Sequence, residues 1–350
     1  MKRLKKILTR LFWLTGAATL MQKLANRYVI RKCRAGSLVL PLLRTRDSRS
    51  VQILVYHRVN DEDDPFFPAT SITDFRRQMA FIAENYRVYS LEDATESIQT
   101  EEIPENAIVV TFDDGYRDNF QNAFPILREF SIPATIFVAT DAVRPGKRLW
   151  HDDVFSAFRN TKALWLEGLP HKRSVFSLQT LTDKLQAQRH ILQLLWSLTA
   201  DEREKRVAQL LDSLSVERCD DQTLMLSWDE IQVMHAHGIC FGSHTVTHPI
   251  LSTLPEARLR LEIIESKRVI EEQLKNRISS FAYPVGRAQD FDARTKAILK
   301  EHGYQSAVTT IFGVNEPGDD LFALRRMTPW ERDLPSFATK LAWYRFAASR

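Results

Sequence analysis

The segment AIVVTFDDGY, residues 107–116, is the most informative stretch of the 350-residue chain. Its first six residues are mostly apolar and rich in β-branched side chains, which is typical of a buried strand. The strand ends in two adjacent carboxylates, Asp113 and Asp114, and Gly115 permits a sharp turn after them. At a strand end that turns, both carboxylates can reach one site. An isolated Asp-Asp-Gly is more often only a turn, so its meaning depends on the rest of the chain.

Outward from this segment, strand-like runs alternate with stretches of helical spacing. This alternation predicts an α/β fold with a parallel sheet or barrel. The functional residues of such a fold lie on loops at the carboxyl ends of the strands. Further strands are predicted at 51–57, 133–139, 239–243, 280–283, 305–309 and 322–327, and helices at 72–84, 116–130, 227–237, 255–274 and 291–302.

The alternation stops between residues 141 and 226. Apolar residues at helical spacing there indicate two or three amphipathic helices. We interpret this block as a helical insertion rather than a second catalytic domain. Residues 150–153, which begin with Trp150, are candidates for the substrate cleft.

A second cluster of polar residues, SHTVTH at 243–248, follows another predicted strand. His244 and His248 are four residues apart and can converge on one metal ion in a tight loop or helical turn. One carboxylate would complete a three-ligand site with open positions for water and substrate. Together with Asp113 and Asp114, these histidines supply the parts of a hydrolytic metal centre.

Four motifs give the chain a resemblance to a known family. TFDDGY (111–116), SHTVTH (243–248) and FAYPVG (281–286) occur in the order found in polysaccharide deacetylases of the NodB-homology type, carbohydrate esterase family 4. VYHRV (55–59) resembles the branch that includes poly-N-acetylglucosamine deacetylases. The resemblance covers roughly residues 50–330 apart from the helical block. It implies a deformed (β/α) barrel of about seven strands.

The resemblance also implies roles for the motif residues. Asp113 resembles the catalytic base, and Asp114, His244 and His248 resemble the ligands of one divalent ion, commonly zinc and sometimes cobalt or nickel. The backbone N–H of Tyr116 resembles the donor to the oxyanion. The implied reaction removes N-acetyl groups from N-acetylhexosamine residues of a glycan or glycolipid. Alternatives are an O-acetyl esterase or another amide hydrolase with the same site, and an inactive carbohydrate-binding relative, which the complete set of four residues disfavours.

The chain departs from the family pattern at two positions. Many members carry a catalytic acid in a Leu-x-His motif near the carboxyl terminus, but no histidine follows residue 302 here. His57, at the end of the first strand, resembles the acid of the poly-N-acetylglucosamine branch; the alternative is a strand-end histidine bonded to a carbonyl.

The second departure concerns the arginine that orients the base in this family. The usual Arg-x-Pro-Tyr is replaced by FAYPVGR at 281–287. Arg287, Arg325 or Arg326 could replace the missing guanidinium and hold Asp113 by two hydrogen bonds. Tyr283 and Pro284 are predicted to line the sugar pocket.

Charge divides the chain into two unlike parts. Residues 1–50 contain 13 Lys or Arg and one acid, a net charge of +12, whereas the remainder contains 35 basic and 43 acidic residues, a net charge of −8. A basic arm on an acidic body is unlike a nucleic-acid-binding domain, whose positive charge lies on the folded surface. We interpret residues 1–34 as an amphipathic helix for an anionic membrane surface, with an uncleaved or cleaved signal as the alternative.

These interpretations give a predicted organisation of the chain. Residues 1–50 form the arm, 51–335 the deacetylase domain with its insertion at about 141–226, and 336–350 a terminal helix. A peripheral membrane or cytoplasmic location is favoured, and export is the alternative.

Overall fold

A computed structural model describes residues 49–167, 175–218 and 223–348, with side chains described as far as 344. The predicted basic arm therefore lies outside the described residues except for its last two. The strands are β1 (Gln52–Tyr56), β2 (Arg87–Val88), β3 (Ala107–Phe112), β4 (Ala134–Val138), β5 (Trp165–Glu167), β6 (Val175–Ser177), β7 (Cys240–Ser243), β8 (Ser280–Ala282), β9 (Ser306–Phe312) and β10 (Leu324–Arg326). The helices are α1 (Ile72–Asn85), α2 (Leu91–Gln99), α3 (Phe124–Glu129), α4 (Trp150–Asn160), α5 (Leu181–Trp196), α6 (Ala200–Ser213), α7 (Trp228–Ala236), α8 (Glu256–Leu274), α9 (Ala293–Glu301) and α10 (Leu334–Ala348).

Seven parallel strands form the main sheet in the order β1, β3, β4, β7, β8, β9, β10, and the short β2 pairs with β3. A parallel bridge between Leu54 and Met327 links the two ends of this sheet. The N–H of Val55 donates to the carbonyl of Met327, and the N–H of Met327 donates to that of Ile53. The sheet is therefore nearly closed into a barrel surrounded by helices, which confirms the predicted deformed (β/α) barrel.

The two faces of the sheet bury different side chains. One face packs against the surrounding helices in the largest apolar cluster, which includes Phe75, Phe112 and Ile263. The opposite face contributes a second cluster that includes Ile53, Val109 and other inward-facing residues, together with residues of α2. Because side chains alternate along a strand, this assignment fixes which residues point into the barrel at its carboxyl edge.

The helical block interrupts the barrel between β4 and β7. Helices α4, α5 and α6 and the antiparallel hairpin β5–β6 share an apolar cluster of their own, which includes Val154, Ile191 and Leu210. Helix α4 contacts both α5 and α6. The block thus has its own core, which Phe66 from the loop after β1 also joins, and the side chain of Gln188 in α5 donates to the Phe66 carbonyl.

The predicted strands at 51–57, 107–112, 133–139, 239–243, 280–283, 305–309 and 322–327 all occur, each within a few residues. The helix predicted over 116–130 is wrong at its start: a π-helical turn spans Asn119–Ala123 and α3 follows it. Within the described residues, no helix has the length and apolar character needed to cross a membrane.

Candidate active site

The carboxyl ends of three strands meet at one edge of the barrel. Tyr56 of β1 pairs with Phe112 of β3, and Val138 of β4 pairs with Ser243 of β7. The residues that directly follow β1, β3 and β7 are His57, Asp113 and His244, respectively. Parallel register therefore brings together the polar residues that end the first, second and fourth predicted strands.

Asp113 lies at the inward edge of the barrel, in a bidentate ion pair with Arg326. Arg326 Nη1 donates to Oδ1 at 2.7 Å and Nη2 donates to Oδ2 at 2.6 Å. Arg326 also donates to the Thr309 carbonyl and to the Thr111 hydroxyl, and its side chain is fully buried. Burial alone would raise the pKa of Asp113, but the Arg326 guanidinium, with smaller contributions from His244 and His57, lowers it below its usual value.

The turn after Asp113 has an unusual backbone. Asp114 and Gly115 both adopt positive φ values, 75° and 80°. A Cβ on Gly115 would lie 2.9 Å from Val138 Cγ1, so only glycine fits this turn. A non-glycine residue in this region is strained and persists when its surroundings fix it. The strain at Asp114 turns its carboxylate toward β7.

Asp114, His244 and His248 form a compact cluster of buried ligand atoms. Asp114 Oδ1 lies 3.5 Å from His244 Nε2 and 3.4 Å from His248 Nε2. Within the described residues, this is the group of histidine and acidic side chains whose ligand atoms converge closely enough to hold a metal, all within 4.8 Å of one another. Asp114 Oδ1 is buried and accepts no hydrogen bond from the described residues.

The donor set fits a divalent cation. His244 Nδ1 lies 2.7 Å from the Ala282 carbonyl, so Nδ1 carries the proton and Nε2 presents its lone pair to the cluster. Two imidazole nitrogens and one carboxylate oxygen match the three protein ligands of catalytic zinc sites. The otherwise orphaned Asp114 Oδ1 is the observation that a cation would account for.

The loop that carries the two histidines is held by a buried glutamate. Glu262 of α8 accepts hydrogen bonds from the N–H groups of Val246 and Thr247, each at 2.9 Å, and from the Thr247 hydroxyl at 2.8 Å. Arg258 forms an ion pair with the same carboxylate at 2.7 Å. The loop itself is bent, since Thr245 and His248 both have positive φ.

His57 is half-buried beside both carboxylates. The Asn119 side chain donates to its carbonyl at 2.9 Å, which fixes its backbone. Its imidazole forms no hydrogen bond with the described residues, so the alternative of a histidine bonded to a carbonyl is not what the structure contains. The charge of His57 contributes to lowering the pKa of Asp113 and of Asp114.

Tyr116 is buried behind the turn. Its hydroxyl donates to Asp152 Oδ1 at 2.8 Å and lies 3.1 Å from His151 Nε2. Burial raises the pKa of Asp152 to about 7 and lowers that of His151 to about 4. Among the described residues, no group accepts a hydrogen bond from the Tyr116 backbone N–H, which is the donor that the motif predicts.

Trp150 and His151 bring the helical block to the site. The Trp150 indole N–H donates to the His248 carbonyl at 3.4 Å, and the His151 ring lies 5.1 Å from the His248 ring, centroid to centroid. The first turn of α4 therefore forms part of the wall beside the three candidate ligands.

Four predicted residues do not take the expected places. Arg287 pairs with Asp290, and Arg325 pairs with Asp319, so neither holds Asp113. Tyr283 is 1% exposed, with its hydroxyl bonded to the Phe322 carbonyl.

The Tyr283 ring also stacks on Phe291, with centroids 4.0 Å apart. Tyr283 is thus a core residue. Pro284, the next residue, is also buried. The sequence predicts that both residues line the sugar pocket, but their burial leaves little side-chain surface for contact with a sugar.

Comparison with known proteins places this geometry in a family. The family model described as polysaccharide deacetylase matches residues 100–161 and 178–307, more than half of the chain. The Bacillus subtilis (strain 168) protein YxkH is 23% identical over 287 residues, which are 81% of this chain and 73% of that protein. The poly-β-1,6-N-acetyl-D-glucosamine N-deacetylase of Escherichia coli (strain K12) is 38% identical over 82 residues, which are 23% of this chain and 12% of that enzyme.

A solved structure shares the fold. The Streptococcus pyogenes deacetylase PplD, in complex with acetate, has a TM-score of 0.56 at 19% identity, over 83% of this chain and 97% of that one. The match of the family model spans TFDDGY and SHTVTH, the two motifs whose side chains form the cluster at the barrel edge. The chain therefore belongs to the polysaccharide deacetylase family.

Proposed function

We propose that the protein is a metal-dependent hydrolase that removes N-acetyl groups from N-acetylhexosamine residues of a polysaccharide. The observation that carries this proposal is the juxtaposition of the Asp114, His244 and His248 cluster with an Asp113 carboxylate held by Arg326. Asp114, His244 and His248 would hold a divalent cation, zinc first and cobalt or nickel next, which would supply Lewis-acid polarisation and acidify water.

Asp113 is proposed as the general base. Its low pKa keeps it ionised at neutral pH, and an ionised carboxylate can accept the proton of the attacking water. Arg326 donates one hydrogen bond to each carboxylate oxygen and so fixes the plane of the carboxylate, which leaves a second lone pair on each oxygen. Orientation of this kind preserves the geometry on which proton transfer depends.

The backbone N–H of Tyr116 is proposed as the donor to the carbonyl oxygen as it gains negative charge. A backbone donor that is already oriented stabilises this charge without rearrangement during the reaction. The bond from the Tyr116 hydroxyl to Asp152 anchors the residue.

His57 is proposed as the general acid for the departing amine. The pairing of Tyr56 with Phe112, which immediately precede His57 and Asp113, supports this role because the two strands end side by side. The His57 imidazole has no competing hydrogen bond within the described residues, so it is free to donate a proton to the amine nitrogen.

The substrate proposed first is a polymer of N-acetylglucosamine. This choice rests on the VYHRV segment with His57 and on the 82-residue likeness to the poly-β-1,6-N-acetyl-D-glucosamine N-deacetylase of E. coli. A glycolipid with the same acetamido sugar is the second choice.

The test is acetate release from a β-1,6-linked N-acetylglucosamine oligosaccharide by the full-length protein. We expect release that a chelator abolishes and that added zinc restores. Asp113→Asn and His244→Ala should each lower kcat/KM by about 100-fold or more, because each removes a group from the chemical step. Asp201→Asn, at an exposed position of α6, is the control and should leave the rate unchanged.

Two results would overturn the proposal. One is acetate release that survives chelation and both substitutions. The other is acetate release from an O-acetylated xylan oligosaccharide but not from the N-acetylated one, which would identify an esterase instead.

A further inference from the structure

Arg203, in the second turn of α6, is a buried cation that forms no hydrogen bond or ion pair with the residues that the structure describes. Its side chain is 3% exposed. Within the described residues, its guanidinium has neither a hydrogen-bond acceptor nor an ion-pair partner. It makes a cation–π contact with Trp150, whose ring centroid lies 4.7 Å from Arg203 Cζ. Burial lowers the pKa of Arg203 to about 10, so the group remains charged at neutral pH.

Two carboxylates raise the pKa of Arg203 by their charge, those of Glu262 and Glu204, and both are paired with other groups. Glu262 accepts from the histidine loop and from Arg258, and Glu204 pairs with Arg218 at 2.8 Å. Another arginine of the same block, Arg148, forms an ion pair with the Asp153 carboxylate at 2.7 Å. Arg203 differs from these neighbours because Glu262 and Glu204 act on it only at longer range, and no described carboxylate lies within ion-pair distance of its guanidinium.

Arg203 lies beside the candidate active site. The Trp150 ring that it covers donates its indole N–H to the carbonyl of His248. The charge of Arg203 contributes to lowering the pKa of both His151 and His248. The guanidinium therefore contacts Trp150 and lies close enough to His151 and His248 for its charge to affect their pKa values.

An unpaired buried charge destabilises a folded protein, and such charges are normally paired or bound to a ligand. The planar guanidinium presents a fork of N–H donors that matches a carboxylate or a phosphate. The sequence does not indicate that Arg203 is buried, because ADEREKRV (200–207) has the charge pattern of a solvated helix face.

We propose that Arg203 forms a subsite for an anionic group, a carboxylate or a phosphate, on the sugar chain next to the acetamido residue that is cleaved. This proposal rests on the proposed function for the identity of the acetamido sugar. It makes the helical block the part of the enzyme that selects acidic substrates.

The experiment compares the binding of two matched ligand pairs to the full-length protein by calorimetry. The carboxylate pair is a heparosan tetrasaccharide, in which glucuronate alternates with N-acetylglucosamine, and its carboxyl-reduced form. The phosphate pair is N-acetylglucosamine 1-phosphate and methyl N-acetylglucosaminide. In the wild type, we expect the anionic member of at least one pair to bind about tenfold more tightly or better, the usual effect of a charge-assisted contact; the responding pair identifies the anion.

Arg203→Met should remove this preference and leave the Kd of the neutral member within about twofold. Arg203→Lys, which keeps the charge but not the fork, should retain part of it. Arg206→Met, one turn further along α6 at an exposed position, is the matched control and should retain all of it. The thermal midpoint of Arg203→Met should equal or exceed that of the wild type, because the substitution removes an unpaired buried charge.

Three results would overturn the subsite: no preference for either anionic ligand in the wild type, an unchanged preference in Arg203→Met, or a lower thermal midpoint with equal weakening of both members. The readout is binding rather than turnover. A protein that binds an anionic sugar through Arg203 but releases no acetate would therefore contradict the proposed function and leave the subsite standing.

Discussion

At the scale of single residues, the ionisation of Asp113 depends on one buried guanidinium, that of Arg326. The carboxylate is 2% exposed, and burial of this kind favours the neutral acid. Arg326 reverses that preference through two short hydrogen bonds and a full positive charge. The ionised state of the proposed base therefore depends on a residue that does not itself face the substrate.

This dependence leads to a prediction for Arg326→Met. Without the guanidinium, burial dominates and the pKa of Asp113 rises, so a higher pH is needed to ionise it. We expect kcat/KM to fall by about 100-fold or more and the acidic limb of the pH–rate profile to move to higher pH. The profile of acetate release against pH measures both effects.

Arg325→Met is the matched control, because the neighbouring arginine pairs with Asp319 instead. Its acidic limb should coincide with that of the wild type. An acidic limb that stays in place in Arg326→Met would show that Arg326 does not set the ionisation of the base.

His57 gives a second prediction at this scale. A group that donates a proton must be protonated, so its loss removes the decline in rate at high pH. We expect His57→Ala to lower kcat by about 100-fold and to flatten the basic limb. His235→Ala, at a half-buried histidine 3.3 Å from the Ile239 carbonyl, is the control. A basic limb that persists unchanged in His57→Ala would exclude His57 as the acid.

At the scale of secondary-structure elements, helix α8 holds the histidine loop through Glu262. Four donors converge on this one carboxylate, from Val246, from Thr247 twice and from Arg258. A carboxylate offers acceptors on both oxygens, whereas a glutamine offers acceptors on one oxygen and donors on the other atom. Glu262→Gln therefore turns the amide NH₂ of the glutamine toward at least one N–H or O–H group that donates to the glutamate.

We expect Glu262→Gln to weaken zinc binding by about tenfold or more, in the range found when groups that orient metal ligands are changed. Competition with a chromophoric chelator measures the Kd. Glu265→Gln, on the same helix and exposed, should bind zinc as the wild type does. Equal affinity in the two variants would mean that the loop does not need the carboxylate.

How far the sequence predicts these elements depends on the kind of signal. Continuous apolar runs predict β1, β3 and β4 well, because strands of a parallel barrel are buried on both faces. The two-residue β2 and the hairpin β5–β6 give no comparable pattern and were not predicted. The start of the helix after Tyr116 is wrong because the strained turn at Asp114 and Gly115 delays regular helix until after a π-helical turn.

Some residues of the candidate site can also be predicted from the sequence and others cannot. Asp113, Asp114, His244 and His248 can be predicted because each occurs in a short motif at a strand end. The choice among Arg287, Arg325 and Arg326 cannot be predicted. Arg325 and Arg326 are adjacent on β10, so the choice between them depends on which face of that strand points into the barrel, and Arg287 is taken up by a local ion pair with Asp290. Glu262 also gives no signal, since it is one of several glutamates in a charged helix and only burial distinguishes it.

At the scale of the whole molecule, the helical block and the barrel are joined at the site. The block has a separate apolar cluster, yet Trp150 and His151 of α4 contact the loop that carries His248. The barrel supplies the proposed base, acid and metal ligands, and the block supplies one wall. Substrate preference can therefore vary with the block while the chemistry of the barrel stays constant.

The division of charge along the chain leads to the last prediction. The arm, residues 1–50, has a net charge of +12 and the rest of the chain −8, so we propose that the arm attracts the protein to an anionic bilayer. Each Lys or Arg near such a surface contributes about 1 kcal/mol. Substitution of five arm residues by Gln should therefore lower binding to phosphatidylglycerol vesicles by about 100-fold or more; the five are Lys23, Arg27, Arg31, Lys32 and Arg34.

Cosedimentation of the full-length protein with vesicles measures this binding, which should weaken as salt rises and should be weak on phosphatidylcholine. The matched control removes five exposed positive charges from the body, at Arg77, Lys162, Lys205, Arg206 and Arg332, and should bind as the wild type does. Equal loss in both variants would assign the attraction to the overall charge of the protein. A mature protein whose amino-terminal sequence begins after residue 34 would show that the segment is a cleaved signal, because an arm that is removed cannot hold the enzyme at a membrane.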